Sequence, residues 1–143
     1  MTEVVAVAAD HGGYELKTVL LPELQALGYD VLDLGTNSKD AVDYPDFAEL
    51  VAQAVEAGTA KFGVLICGTG IGMSIAANRH RKVRAALCHD VTTARLARQH
   101  NDANVLTMGG RVLGTETAKD CLKIFFSTAF EGGRHIRRIA KLS

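Results

Sequence analysis

Cysteine is scarce in this chain, and neither sign of charge has a majority. The three cysteines, Cys67, Cys88 and Cys121, are odd in number and widely spaced, and no CxxC pair occurs. That pattern speaks against a disulfide framework and a zinc ribbon, and makes a reducing cytoplasm the expected setting. Sixteen basic residues balance sixteen acidic ones, so no net field draws the chain to nucleic acid or to a membrane. No apolar run approaches the roughly 20 residues of a transmembrane helix. The start, Met1-Thr2-Glu3-Val4, lacks the basic flank and cleavage site of a signal peptide. No internal repeat, linker or low-complexity stretch interrupts the 143 residues, so one domain over 1–143 is expected.

What is present is an alternation of short apolar runs and amphipathic segments. Val4–Ala9 is almost wholly apolar, the mark of a strand buried on both faces in a parallel sheet. A helix is expected from about Tyr14 to Leu27, ended by Gly28, with Pro22 expected to kink or divide it. Val31–Leu34 reads as a second strand and Thr36 to Asp43 as a polar loop. Pro45 opens the next helix, as proline does in first turns, and Gly58 closes it. A strand at Phe62–Ile66, a helix to about Arg79 and a strand at Val83–Leu87 follow. A helix at Thr92–His100, a strand at Val105–Met108 and a helix at about Thr115–Thr128 come next, and a basic helix at about 134–141 closes the chain. Five strands alternating with helices describe a doubly wound α/β sandwich. Ligands of such sheets lie beyond the carboxyl ends of the strands, where strand order reverses.

The polar residues collect at those ends. Cys67 ends the third apolar run and opens Gly68-Thr69-Gly70-Ile71-Gly72, with a helix directly after it. Free backbone N–H groups and a helix N-terminus favour the thiolate, so this sulfur is fit to be a nucleophile, a redox centre or a base. The glycines let a ligand approach the backbone closely, although a plain tight turn also uses glycine. Cys88 and Cys121 read as inert buried residues. Asp10-His11 follows the first strand: the carboxylate suits sugar hydroxyls or a helix cap, and the imidazole suits phosphate. His89-Asp90 and Gly109-Gly110-Arg111 end the fourth and fifth strands. His100-Asn101 ends a helix, where a cation and an asparagine are ordinary; His100 is also of the right type for acid–base work near neutral pH. Arg134 and Arg138, spaced i and i+4, share one helix face that suits a phosphate dianion or simply a solvated surface. Tyr44, at a helix entry, can stack on or hydrogen-bond a sugar.

In this order Asp10-His11-Gly12-Gly13, Asp43-Tyr44-Pro45, Cys67-Gly68-Thr69-Gly70-Ile71-Gly72, Arg98-Gln99-His100-Asn101-Asp102 and Glu131-Gly132-Gly133-Arg134-His135 closely resemble the motifs of the type B ribose-5-phosphate isomerases, in the ribose/galactose isomerase family. The resemblance runs over about the first 140 residues; each motif is modest, and the ordered set is specific. It implies a Rossmann-like three-layer α/β/α sandwich whose five parallel strands run 2-1-3-5-4. It implies interconversion of ribose 5-phosphate and ribulose 5-phosphate through a cis-enediolate, without metal or cofactor. Cys67 matches the base that moves a proton between C1 and C2. Gly68, Thr69, Gly70 and Gly72 resemble the anion hole for the enediolate. His100 matches the ring-opening residue, with Asn101 and Asp10 on sugar oxygens. His11, Arg134 and Arg138 match phosphate ligands, with Arg111 a further one, and Tyr44 matches a substrate contact. A glutamate base found four residues after this position in a serine subgroup is Ile71 here, so Cys67 is the base this motif offers. The resemblance further implies an active site between subunits of a homodimer or homotetramer.

Two other readings compete. One is the same chemistry on allose 6-phosphate, galactose 6-phosphate or a tetrose phosphate, with the loop from Gly35 to Tyr44 setting substrate length. The other is a non-catalytic nucleotide-binding α/β module, in which Asp90 would meet a ribose hydroxyl. Met73 at the third glycine position of GxGxxG, and the lack of any Gly-Lys-Ser/Thr, count against it.

Overall fold

The computed structural model describes residues 2–143. Five parallel strands, β1 (Val4–Ala9), β2 (Asp30–Asp33), β3 (Phe62–Cys67), β4 (Ala85–Leu87) and β5 (Val105–Gly109), form one sheet in the order β2-β1-β3-β5-β4. The expected order is therefore the observed one. Six helices intervene: α1 (Tyr14–Ala26), α2 (Tyr44–Glu56), α3 (Ile71–Ala77), α4 (Val91–Asn101), α5 (Thr115–Ser127) and α6 (Arg134–Ala140). None is long and apolar enough to cross a membrane.

The apolar runs of β1, β3 and β5 became central strands because both of their faces are covered. On one face Val5, Val7, Val64, Ile66, Leu106 and Met108 pack with Leu16, Leu20 and Leu24 of α1, Ala94 of α4 and Leu122 and Phe125 of α5. On the other, Ala6, Ala8, Leu65 and Val105 pack with Ala48, Val51 and Ala52 of α2 and Met73 and Ala77 of α3. Each fully buried Leu, Val or Phe contributes about 1.5–3 kcal/mol of transfer free energy, and the two cores fix the three layers.

Pro22 differs from expectation: α1 runs unbroken through it. Pro22 and Thr18, whose carbonyl loses its donor, are both exposed, so the lost bond lies on the solvent-facing side of the helix, where its cost is least. The fourth strand is also shorter than expected, starting at Ala85. Val83 stays buried outside it, where its N–H donates to the His80 carbonyl in a turn.

The sheet's carboxyl edge is braced. Lys17 is 1% exposed, yet its Nζ lies 2.7 Å from Asp33 Oδ1, which also accepts the Gly35 N–H. Gly35 and Thr36 in turn exchange backbone bonds of 2.7 Å with Ala9. The loop after β2 is thereby held against the end of β1, the strand next to the reversal of order.

Candidate active site

Strands β1 and β3 lie side by side at the centre of the sheet, and the order reverses there. The loops leaving them, and the loop leaving β5, pack glycine against glycine. A methyl at Gly12 would stand 3.1 Å from the Gly68 nitrogen, one at Gly110 would stand 2.6 Å from the Gly12 carbonyl oxygen, and one at Gly109 would meet Thr69 backbone at 2.7 Å. Gly110 N–H donates to the Cys67 carbonyl and Arg111 N–H to that of Gly68. Three strand ends thus meet in one rim with almost no side-chain bulk between them.

Cys67 stands in that rim, 5% exposed. The Gly70 N–H donates to its Sγ at 3.1 Å, a donor that stays in place when the sulfur is ionised. Gly70 takes φ +78°, and a side chain there would collide with Leu87 and the Met108 carbonyl, so only glycine makes this turn. Gly72 has a different reason: the Tyr44 ring occupies the space a side chain would need. Gly68 has a third. Its nearest neighbour is the Arg111 side chain at an ordinary 3.5 Å, which leaves backbone open beside the sulfur. The Ile71 N–H is taken by Thr69 Oγ1 at 3.2 Å. Of the loop's donors, those of Gly68, Thr69 and Gly72 have no partner among the described residues.

Asp10 and His11 leave β1 beside this loop. Asp10 Oδ1 accepts the N–H groups of Gly12 and Gly13 at 2.9 and 3.1 Å, so the carboxylate shapes the turn into α1. His11 Nδ1 accepts the Val42 N–H at 3.2 Å. That bond places the proton of the neutral imidazole on Nε2, as a donor. His11, Lys39 and Arg111 line a cavity of about 320 Å³ with Gly12 and Gly110; Lys39 also pairs with Glu15. Asp90 lies at the same edge, but its Oδ1 accepts the Thr93 N–H at 2.7 Å as the N-cap of α4. The carboxylate that a nucleotide-binding reading needs for a ribose is therefore engaged in capping.

His100, Asn101, Arg134 and Arg138 are elsewhere. α4 starts beyond the carboxyl end of β4 and returns to feed β5 from its amino end. His100 and Asn101, at its last turn, are thus at the edge opposite Cys67. Asn104, just after them, bonds to Arg84 and Gly63 at the starts of β4 and β3. A six-residue strand separates the two edges by roughly 20 Å at about 3.3 Å per residue. There His100 stacks on His135 of α6, centroids 4.6 Å apart and planes 16° from parallel. His100, Asn101, His135 and Arg138 line a cavity of about 280 Å³, and Arg134 is exposed one residue from His135. Burial, with Arg134 and His100 adding to it, holds the His135 imidazole below its ordinary range.

One chain therefore holds the expected site residues in two clusters at opposite edges of the sheet. The sequence reading assigned no role to His135, which is 5% exposed in a helix otherwise open to water. Its position after Arg134 gave the only signal. The two remaining thiols are buried as expected: burial pushes Cys88 up to about 11 and raises Cys121, so both stay protonated near neutral pH.

Known proteins share this construction over almost the full length. The profile of the family described as Ribose/Galactose Isomerase matches residues 5–142. Ribose-5-phosphate isomerase B of Escherichia coli is 44% identical over 139 residues, 97% of this chain and 93% of that protein. The structure of a ribose 5-phosphate isomerase from Thermotoga maritima superposes with a TM-score of 0.96 at 50% identity, covering 99% of this chain and 98% of that one. That of ribose 5-phosphate isomerase B from Anaplasma phagocytophilum gives 0.93 at 49% identity, covering 99% and 97%. Strand order, chain length and sequence agree from end to end, and the protein belongs to the ribose/galactose isomerase family.

Proposed function

We propose that this isomerase interconverts D-ribose 5-phosphate and D-ribulose 5-phosphate through a cis-enediolate, without metal or organic cofactor, at a site completed by a second copy of the chain. The observation that carries the reading is the Cys67 sulfur, held by the Gly70 N–H in a rim of unpartnered backbone donors. The names borne by relatives more than 40% identical over nearly their whole length support the substrate.

The chemistry follows from that rim. A Cys67 thiolate takes the C2 proton of the open-chain aldose. The C2 electron pair forms the C1–C2 double bond and the carbonyl pair moves onto O1. The thiol returns the proton to C1 while the O2–H proton passes to O1, so that the ketone forms at C2 and a hydroxyl at C1. Charge develops on the sugar oxygens, where the N–H groups of Gly68, Thr69 and Gly72 are available. Such donors are each worth on the order of 10²–10³ in rate. His11 through its Nε2–H, with Arg111, suits the phosphate.

Ring opening needs a further acid–base group, and His100 of the same chain is at the far edge. Two copies related by a twofold axis solve this, each bringing His100, Asn101, Arg134 and Arg138 to the other's Cys67. Exposed apolar side chains flank both half-sites: Ile71 and Ile75 beside the thiol loop, Ile136 and Leu142 beside the stacked histidines. Such surface is what a subunit contact buries.

The test is a coupled isomerisation assay on five-, six- and four-carbon aldose phosphates, with wild type and Cys67→Ala. Turnover greatest on ribose 5-phosphate, lost in Cys67→Ala while the sugar phosphate still binds, is the expected result. Full activity in the variant removes Cys67 from the mechanism, and a six- or four-carbon preference replaces the substrate.

A further inference from the structure

The geometry points to a divalent transition-metal site formed by His100, Glu131 and His135, matched best to zinc, whose occupation switches isomerisation off by withdrawing His100 from the sugar ring. The Nε2 atoms of both rings face one carboxylate oxygen, Glu131 Oε1, at 3.8 Å from His100 and 3.6 Å from His135. One ligand atom from each of the three residues lies within 4.8 Å of the other two. Two imidazoles and one carboxylate are a known zinc donor set, bound at about 2.0–2.2 Å with the fourth position open. Tetrahedral bonds of that length separate neighbouring ligand atoms by about 3.3 Å, so the two nitrogen–oxygen gaps close by only a few tenths of an ångström.

A second observation marks the place as one that wants a ligand. His135 Nε2 is buried and has no hydrogen-bond partner. A buried ring nitrogen left unpaired is costly and uncommon. The Glu131 N–H donates to the Gln99 carbonyl at 3.1 Å, which ties the Glu131 backbone to the last turn of α4, beside His100.

Two features decide how the ion binds. Stacked rings hold their nitrogen lone pairs side by side, whereas a shared ion needs them convergent. The His100 side chain is 38% exposed and that of His135 7%, so His100 is the ring that turns. Arg134 and Arg138, on the same helix as His135, repel a dication. Direct bonds to the two nitrogens form at much shorter range. Once turned onto the ion, His100 Nε2 has no lone pair left for a sugar oxygen.

Titration of the full-length, metal-free protein with Co²⁺ and Zn²⁺ tests this, read by the visible absorption of tetrahedral Co²⁺ and by calorimetry. One ion per chain is expected, with binding weakened about 100-fold or more in Glu131→Gln and in His135→Ala and unchanged in Cys67→Ala. Zn²⁺ should inhibit wild-type isomerisation and a chelator restore it, while Glu131→Gln turns over normally and resists Zn²⁺. Wild type without stoichiometric binding, or Glu131→Gln and His135→Ala binding as wild type does, overturns the site. Loss of binding in Cys67→Ala places the metal on the thiol instead and equally overturns it. Binding without inhibition overturns the switch. The inhibition arm rests on the ring-opening role proposed for His100, while the binding arm is independent of it, so the two failures are distinguishable.

Discussion

At the scale of single residues, the site is a thiol with its environment built from main chain. Backbone donors cannot rotate away, so the Gly70 N–H stays on the Cys67 sulfur and the neighbouring donors keep their aim. Cys67→Ala removes the proposed base and keeps the surrounding main chain. A loss of roughly 10²–10⁴ in kcat is expected, the range of a single acid–base group, with sugar-phosphate affinity retained by calorimetry. The arginines differ in kind. A phosphate far from the reacting carbons is held alike in ground and transition states, so Arg134→Ala and Arg138→Ala should chiefly raise KM. Steady-state kinetics showing kcat alone reduced would remove them from the phosphate role.

At the scale of elements, charged side chains join helices that also share an apolar core. Arg98 is 8% exposed. It donates to the Ala103 carbonyl at 2.7 Å, Asp102 Oδ1 at 2.8 Å and the Thr128 carbonyl at 3.3 Å, and lies over the Phe62 and Phe125 rings. It binds the end of α4, and with it His100, to the end of α5. Arg98→Ala should destabilise by about 1–3 kcal/mol, the range for leaving buried acceptors without a donor, seen as a lowered midpoint in denaturant. His80 joins α2 to the end of α3 through Glu56 at 2.8 Å and Glu49 at 2.7 Å. The hydrogen bond that His80 donates to Glu56 is the main cause raising the His80 pKa above its ordinary 6.5, and the same bond lowers Glu56 below 4.5. A raised histidine stabilises fully below its unfolded value and loses this as pH rises through the folded one. A lowered carboxylate stabilises above its unfolded value and loses this as pH falls. The pair therefore contributes most between about pH 4.5 and 6.5. The Tm deficit of His80→Ala should be largest in that window and shrink on either side; a deficit constant with pH would assign His80 a packing role alone.

At the scale of the whole molecule, the proposal that two copies share each site makes a specific demand on assembly. Cys67→Ala and His100→Ala should each be inactive. Subunits mixed and allowed to exchange should regain about one quarter of wild-type activity, because half form mixed dimers, each with one intact site of its two. No recovery after exchange verified by mass would mean that each chain uses its own His100, against the intersubunit reading.

Much of this was legible in the amino-acid order. Buried parallel strands announce themselves as unbroken apolar runs, which is why Val4–Ala9 and Phe62–Cys67 were found almost to the residue. Local steric rules also carried Pro45 into the first turn of α2. They failed at Pro22, which sits on an exposed helix face where the carbonyl left without a donor points to solvent-accessible surface and not into the core. The ordered motifs conveyed the family because chemistry fixes residue types at strand ends. Tertiary structure alone decided three things: that Gly72 is small to seat Tyr44, that His100 stacks on His135, and that His100 and Cys67 lie at opposite edges. Sequence periodicity reports which face of an element is buried. Distances between elements arise only when the sheet assembles and each crossover helix carries its last turn back to the far edge.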